Sequence, residues 1–275
     1  MCRNFALTAT ALALVLAAPG LASAKAKDTA ETAAAAPAAA PAPAPPRKAT
    51  ADQRAQAERL EPLARAAFWA HELEIDPKDA EAGVRLSAAL RGLGRTDEAA
   101  QAAQSVLVLD PANRAALFEL ARAYIAAGNG FYAIEPLTRL QSADAKDWRP
   151  WSLIGVAYDQ VQRPADAEAA WRQALVLSPN NPAVLSNLAL HDAARGDTAQ
   201  AETLLRQAAA QPGATVQIRQ NLALILGLQG KLAEAETLTR QDLPPDVAEN
   251  NLAYLRAARA ADAAPAVHGA QTAGS

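Results

Sequence analysis

Stepping along this chain in increments of 34 residues from Ala167 lands on Ala99, Ala133, Ala201 and Ala235. The same step from Gly155 reaches Ser87, Ala121, Ala189 and Ala223, all small, and from Ile154 reaches Leu86, Leu120, Leu188 and Leu222. A further column, Gly94, Gly128, Gly196 and Gly230, falls where the chain must turn and where a left-handed backbone costs glycine little. Columns sharing one register leave room for little except an array of equal units.

Residues 151–179 show what one unit contains. Trp151, Ile154 and Tyr158 recur at helical spacing, with Gly155 leaving space on their stripe for a second helix. Ala167, Trp171 and Ala174 form the facing stripe, and Pro179 stops the unit. One such hairpin cannot bury its apolar faces alone. These residues resemble the tetratricopeptide repeat, a helix–turn–helix unit of about 34 residues. The resemblance implies an all-α fold: a right-handed superhelical solenoid of helical hairpins with a C-terminal capping helix.

The 275 residues are 51% apolar but only 4% aromatic, with alanine supplying much of the apolar fraction, as suits closely packed helices. A net charge of −3 gives no electrostatic footprint for nucleic acid. Cys2 is the only cysteine, which excludes a disulfide framework.

Residues 1–24 read as a cleavable secretory signal peptide: Arg3, an apolar run over 5–18, Pro19-Gly20, and the cleavage triplet Ala22-Ser23-Ala24. The run is shorter than the ~20 residues of a membrane span, so no span is expected after cleavage; the alternative is an uncleaved anchor. Residues 25–50 form an Ala/Pro-rich linker, extended as polyproline II where prolines crowd 37–46.

Residues 51–261 are expected to form the solenoid of about six units plus the cap. The first, 51–77, is irregular: Trp69 and Pro77 are in register, but Arg65 and Glu72 occupy small-residue positions. Units follow at about 80–113, 114–147, 148–181, 182–215 and 216–243, then a capping helix over 247–261 and a disordered tail over 262–275. Asn181 before Pro182 signals a helix start, and Asp197/Gln200 and Asp246/Glu249 are spaced as capping boxes. Pro136, inside a second helix, should remove a hydrogen bond and kink it.

No catalytic constellation emerges. His71, His191 and His268 share no helical face and read as surface, groove or tail residues. No metal or cofactor site is expected, and the acidic residues read as solvated. Trp69, Trp151 and Trp171 lie on packing columns; Trp148 is a weak interface candidate. Binding is expected in the concave groove lined by the first helix of each unit. Its candidates are Arg85, Phe118, Arg122, Ser152, Val156, Asn187, Leu190, Gln220, Asn221, Leu224 and, in the cap, Asn251. Asn187 and Asn221 hold the same position in adjacent units. Such amides could pair with an extended peptide backbone, or each could bond to a neighbouring turn and fix the geometry between repeats.

The runs Arg219-Gln220-Asn221-Leu222-Ala223-Leu224-Ile225-Leu226-Gly227-Leu228-Gln229-Gly230, Ala233-Glu234-Ala235-Glu236, Asp242-Leu243-Pro244-Pro245, Asn251-Leu252-Ala253-Tyr254-Leu255 and Gly130-Phe131-Tyr132-Ala133-Ile134-Glu135-Pro136 together resemble the TadD-type tetratricopeptide proteins of tight-adherence (Flp) pilus systems. The resemblance implies a non-enzymatic periplasmic scaffold in assembly or secretion of a type IV-like pilus. Its implied partners are protein or peptide segments such as secretin, pilin or assembly-platform components. Many relatives look like lipoproteins, whereas here no cysteine follows the apolar run, so a lipid anchor is not expected. The alternative is a general periplasmic chaperone or an adaptor unrelated to pili.

Overall fold

The computed structural model describes residues 47–263. The expected signal peptide, residues 25–46 of the linker and residues 264–275 of the tail lie outside the described residues. The described chain is a succession of helices: α1 (Ala51–Ala57), α2 (Pro62–Ile75), α3 (Ala80–Gly92), α4 (Thr96–Leu109), α5 (Arg114–Ala126), α6 (Gly130–Ala143), α7 (Trp148–Gln160), α8 (Pro164–Leu177), α9 (Pro182–Ala194), α10 (Thr198–Ala209), α11 (Val216–Leu228), α12 (Leu232–Asp242) and α13 (Pro245–Ala263). From α3 to α12 they pair into the five hairpins that the register predicts. From α2 onward, neighbours in sequence are neighbours in space, and α3, α5, α7, α9, α11 and α13 also touch in succession. The fold is a helical-hairpin solenoid with a terminal cap.

Within a hairpin, two columns exchange volume. Gly155 of α7 lies under Trp171 of α8, so closely that a Cβ would sit 2.5 Å from the indole Nε1. That nitrogen donates to the Ser152 carbonyl at 3.0 Å. The same two columns hold Ala121 with Leu137, and Ala189 with Leu205, each pair buried in a shared core. In the second unit both are small, and buried Ser87 donates to the Ala99 carbonyl at 2.7 Å.

The turn glycines Gly94, Gly128, Gly196 and Gly230 all have positive φ, between 75° and 94°. In the α7–α8 turn the column carries Gln162, which is exposed and held at φ 58°. A second periodic device lies at the start of every first helix. Asp79, Asn113, Asp147, Asn181 and Thr215, again 34 apart, each accept a first-turn backbone N–H of α3, α5, α7, α9 and α11. The second helices α4, α6, α8 and α12 begin without a side-chain cap. Asp197 does cap α10, accepting from Gln200 N–H at 2.9 Å.

Two expectations need correction. Asp246 is not a cap: α13 starts at Pro245, for which the first helical position is favourable, so Asp246 falls in the first turn. α13 also continues to Ala263, past the expected 261. Pro136 sits buried inside α6, which continues from Gly130 to Ala143.

At the N-terminal end, Glu72 takes a small-residue position and is nonetheless 2% exposed. Arg54 of α1 explains this, pairing with Glu72 at 2.5 Å, Asp79 at 2.6 Å and Glu81 at 2.9 Å. The Arg54 guanidinium holds the Asp79 carboxyl down to about 2. Thr50 and Gln53 form a reciprocal capping box on α1, and Trp69, fully buried, donates to Glu58 at 3.1 Å. At the other end Leu255 of α13 covers Gly227, where a Cβ would lie 2.6 Å from the leucine.

Gly155→Ala should destabilise the array by about 1–3 kcal/mol through overpacking, and Trp171→Leu in the same chain should recover part of the loss; denaturant melts of the four-member cycle give the coupling. Gln162→Gly should stabilise by about 1 kcal/mol by relieving a left-handed residue, read as a higher urea midpoint with an unchanged slope.

Candidate partner-binding face

The expected groove residues fall into three columns on the first helices, and burial differs sharply between them. The first column holds Phe118, Ser152, Ser186 and Gln220. Phe118 is 7% exposed and Ser152 5%, so these two do not line an open groove as expected. They lie in the seam where one first helix leans on the next.

The second column supplies the reason. Asn187 donates through Nδ2 to the Ser152 Oγ at 3.4 Å, and Asn221 to the Ser186 Oγ at 3.2 Å. Each amide bridges two repeats. Of the two roles open to these residues, geometry between repeats is the one this contact serves, although the bond goes to the preceding first helix. In the third unit the column holds Glu119, 6% exposed, which accepts from Arg91 at 3.1 Å and Arg122 at 2.6 Å. Arg85, exposed at the same column, faces Glu58 at 3.5 Å and Glu81 at 4.0 Å.

The third column, one helical turn beyond the first, is the more open one. It carries Arg122, Val156, Leu190 and Leu224, of which Leu190 is exposed and the rest half-buried. Arg122 and Arg149 close over the Phe118 ring from 5.4 Å and 5.0 Å, a cation–π cover that seals the seam. Arg149 is in turn anchored by buried Asp147 at 2.7 Å, and its guanidinium holds that carboxyl below the usual range. The middle of the face is thus charged but internally paired.

Its C-terminal end differs. Between α11 and α13 lies a cleft of about 250 Å³ lined by Gln217, Gln220, Asn221, Leu224, Asn251 and Tyr254, together with Ala223, Thr239 and Leu255. No lining residue is charged. Gln217 donates to the Asn221 Oδ1 at 2.9 Å and Gln220 to the Leu238 carbonyl at 3.4 Å. Asn251 and Tyr254 are exposed. The cleft brings together four of the expected residues, Gln220, Asn221, Leu224 and Asn251.

Other residues depart from expectation. His191 is not a surface residue: it is 4% exposed, its Nδ1 lies 2.7 Å from Asp159 Oδ1, and its ring meets Trp171 edge-on at 5.2 Å. The register could have shown this, because position 191 follows Ala157 and precedes Ile225 in a buried column. His71 is exposed beside Glu74. Glu72, Glu119 and Asp147 are buried, against the expectation of solvated acids, and each is held by arginine. Trp69 and Trp171 are core, whereas Trp148 and Trp151 are partly buried against it. Among the described residues no cluster of three or more His, Cys, Asp or Glu could hold a metal ion, and no helix is long and apolar enough to cross a membrane.

Residues 90–155 match the family described as Tetratricopeptide repeat. No curated protein matches the chain. A tetratricopeptide repeat protein from Parabacteroides merdae superposes with a TM-score of 0.65 at 15% identity, over 74% of this chain and 80% of that one. A thermophilic tetratricopeptide protein of Thermus thermophilus gives 0.59 at 23% identity, over 65% and 99%. MamA of Desulfovibrio magneticus gives 0.50 at 20% identity, over 57% and 89%. At these identities the likeness is one of fold: the chain is a tetratricopeptide-type helical-hairpin solenoid.

Asn221→Ala should cost about 1 kcal/mol, the worth of one inter-repeat hydrogen bond. Combining it with Ser186→Ala should add less than the sum, and thermal melts of the single and double variants measure the coupling.

Proposed function

We propose that this scaffold acts in the periplasm, exported by its N-terminal signal, and assists assembly or secretion of a tight-adherence (Flp) type pilus by holding a segment of another component of that machine. The observation that carries the binding part is the uncharged, amide-lined cleft between α11 and α13. The amide of Asn251, exposed at this cleft, can donate to and accept from an extended peptide backbone without demanding a charge from it. The binding reading therefore moves from a ladder along the whole face to this end of it. The pilus assignment is supported by the sequence resemblance of the last unit and of residues 130–136 to TadD-type proteins. A secretin, a pilin or an assembly-platform protein is the implied partner.

The test is a pair of measurements on the full chain in its native host. Affinity purification from envelope extract should retain a short set of proteins that includes a pilus component, and deletion of the gene should abolish surface fibres. An Asn251→Asp, Leu224→Glu variant should bind that component at least about tenfold more weakly with little change in melting temperature. A long set of unrelated exported proteins, with fibres intact in the deletion strain, would instead indicate a general chaperone.

A further inference from the structure

Every helix from α2 to α13 packs along at least one other, whereas α1 packs along none. It has 7 residues, of which Ala57 alone is buried. A helix needs roughly 12–15 residues to hold its own form in water. Side chains tie α1 down instead. Arg54 reaches Glu72, Asp79 and Glu81, and Lys48, just ahead of the helix, reaches Asp76 at 2.5 Å and Asp79 at 3.4 Å. Glu72 also accepts the Ala49 N–H at 3.0 Å. At the far end of α1, Glu58 accepts from the Trp69 indole at 3.1 Å and faces Arg85 at 3.5 Å. The two cations thus sit on the α1 segment, and the four acids that hold them sit on α2, α3 and the turn between.

Trp69 lies beneath this latch, fully buried against Ala57 and Ala82, with the Arg54 guanidinium 5.6 Å from its ring centre. Lifting α1 would return Arg54, Glu72 and Asp79 to water together, leaving none of them buried and unpaired. The apolar contact given up is little more than Ala57 and one edge of the indole. Lifting any of α3–α12 would instead open a core shared by several helices. We infer that α1 is a detachable strap, which lifts from the array as a unit while the hairpins stay folded and bares Trp69 at the N-terminal end. Such an opening is sub-global, with a free energy below that of unfolding. Its attachment is ionic, so salt loosens it. The strap is independent of the α11–α13 cleft, so either reading can fail without the other.

The test follows exchange of the Trp69 and Trp171 indole N–H groups by NMR in the full chain. Both rings are buried and both groups are hydrogen-bonded, to Glu58 and to the Ser152 carbonyl, so Trp69 reports the strap and Trp171 the array. Trp69 should exchange at least about tenfold faster than Trp171, with a shallower urea dependence. Raising NaCl from about 0.1 M to about 1 M should speed Trp69 severalfold further and leave Trp171 behind. Arg54→Met, which keeps the stem and removes the charge, should speed Trp69 at least about tenfold with Trp171 unchanged. Should that variant not fold, the urea and salt series on the unaltered chain decide. One common rate and urea slope for the two indoles, or a Trp69 rate indifferent to salt, would overturn the proposal and make α1 part of the cooperative array.

Discussion

The structure depends on how closely two helices of one hairpin can approach, and that distance is set by the summed volume of two facing positions. Trp171 fits because Gly155 has no Cβ; elsewhere alanine faces leucine, or serine faces alanine. Interiors tolerate such volume-conserving exchange far better than a change at one position alone. The repeats can therefore diverge in sequence and still stack, provided each pair diverges together. Compensation of this kind acts pair by pair: Val106 takes the space beside Gly83, where a Cβ would lie 2.4 Å from it, yet a cavity of about 370 Å³ still remains between α2, α3 and α4.

Polar groups then settle the relation of one unit to the next. The recurring caps at Asp79, Asn113, Asp147, Asn181 and Thr215 fix where each first helix begins. Asn187 and Asn221 tie each first helix to its predecessor, while arginines neutralise the buried acids of the middle units. A face built in this way is largely self-satisfied through its middle, whereas at the capped end Asn251 and Tyr254 stand exposed.

The hairpins, their boundaries and their turns were legible in the sequence because small residues and glycines at a fixed interval admit one physical explanation. The cap column was equally periodic, but Asp, Asn and Thr do not look alike until their shared acceptor role is considered, so only Asn181 stood out. The face was harder to read. Helical spacing places Phe118 and Ser152 on the outer side of a lone hairpin, and only stacking against the next unit buries them. His191 misleads for the opposite reason: a polar side chain suggests exposure, although its column neighbours, Ala157 and Ile225, are core. Burial of Glu72 could not be read from its own unit, since its compensating charge, Arg54, lies on a helix outside the repeat pattern.

The cap has a further bearing on how such a chain can change length. Leu252 follows Leu222 by 30 residues instead of 34, and with Leu255 it is buried where α13 closes over α11. The cap is thus out of phase with the array by about one helical turn. Duplicating any internal unit would therefore keep every column aligned and leave the seat of the cap on α11 and α12 unchanged, so the number of repeats can vary without altering how the array is closed over Gly227.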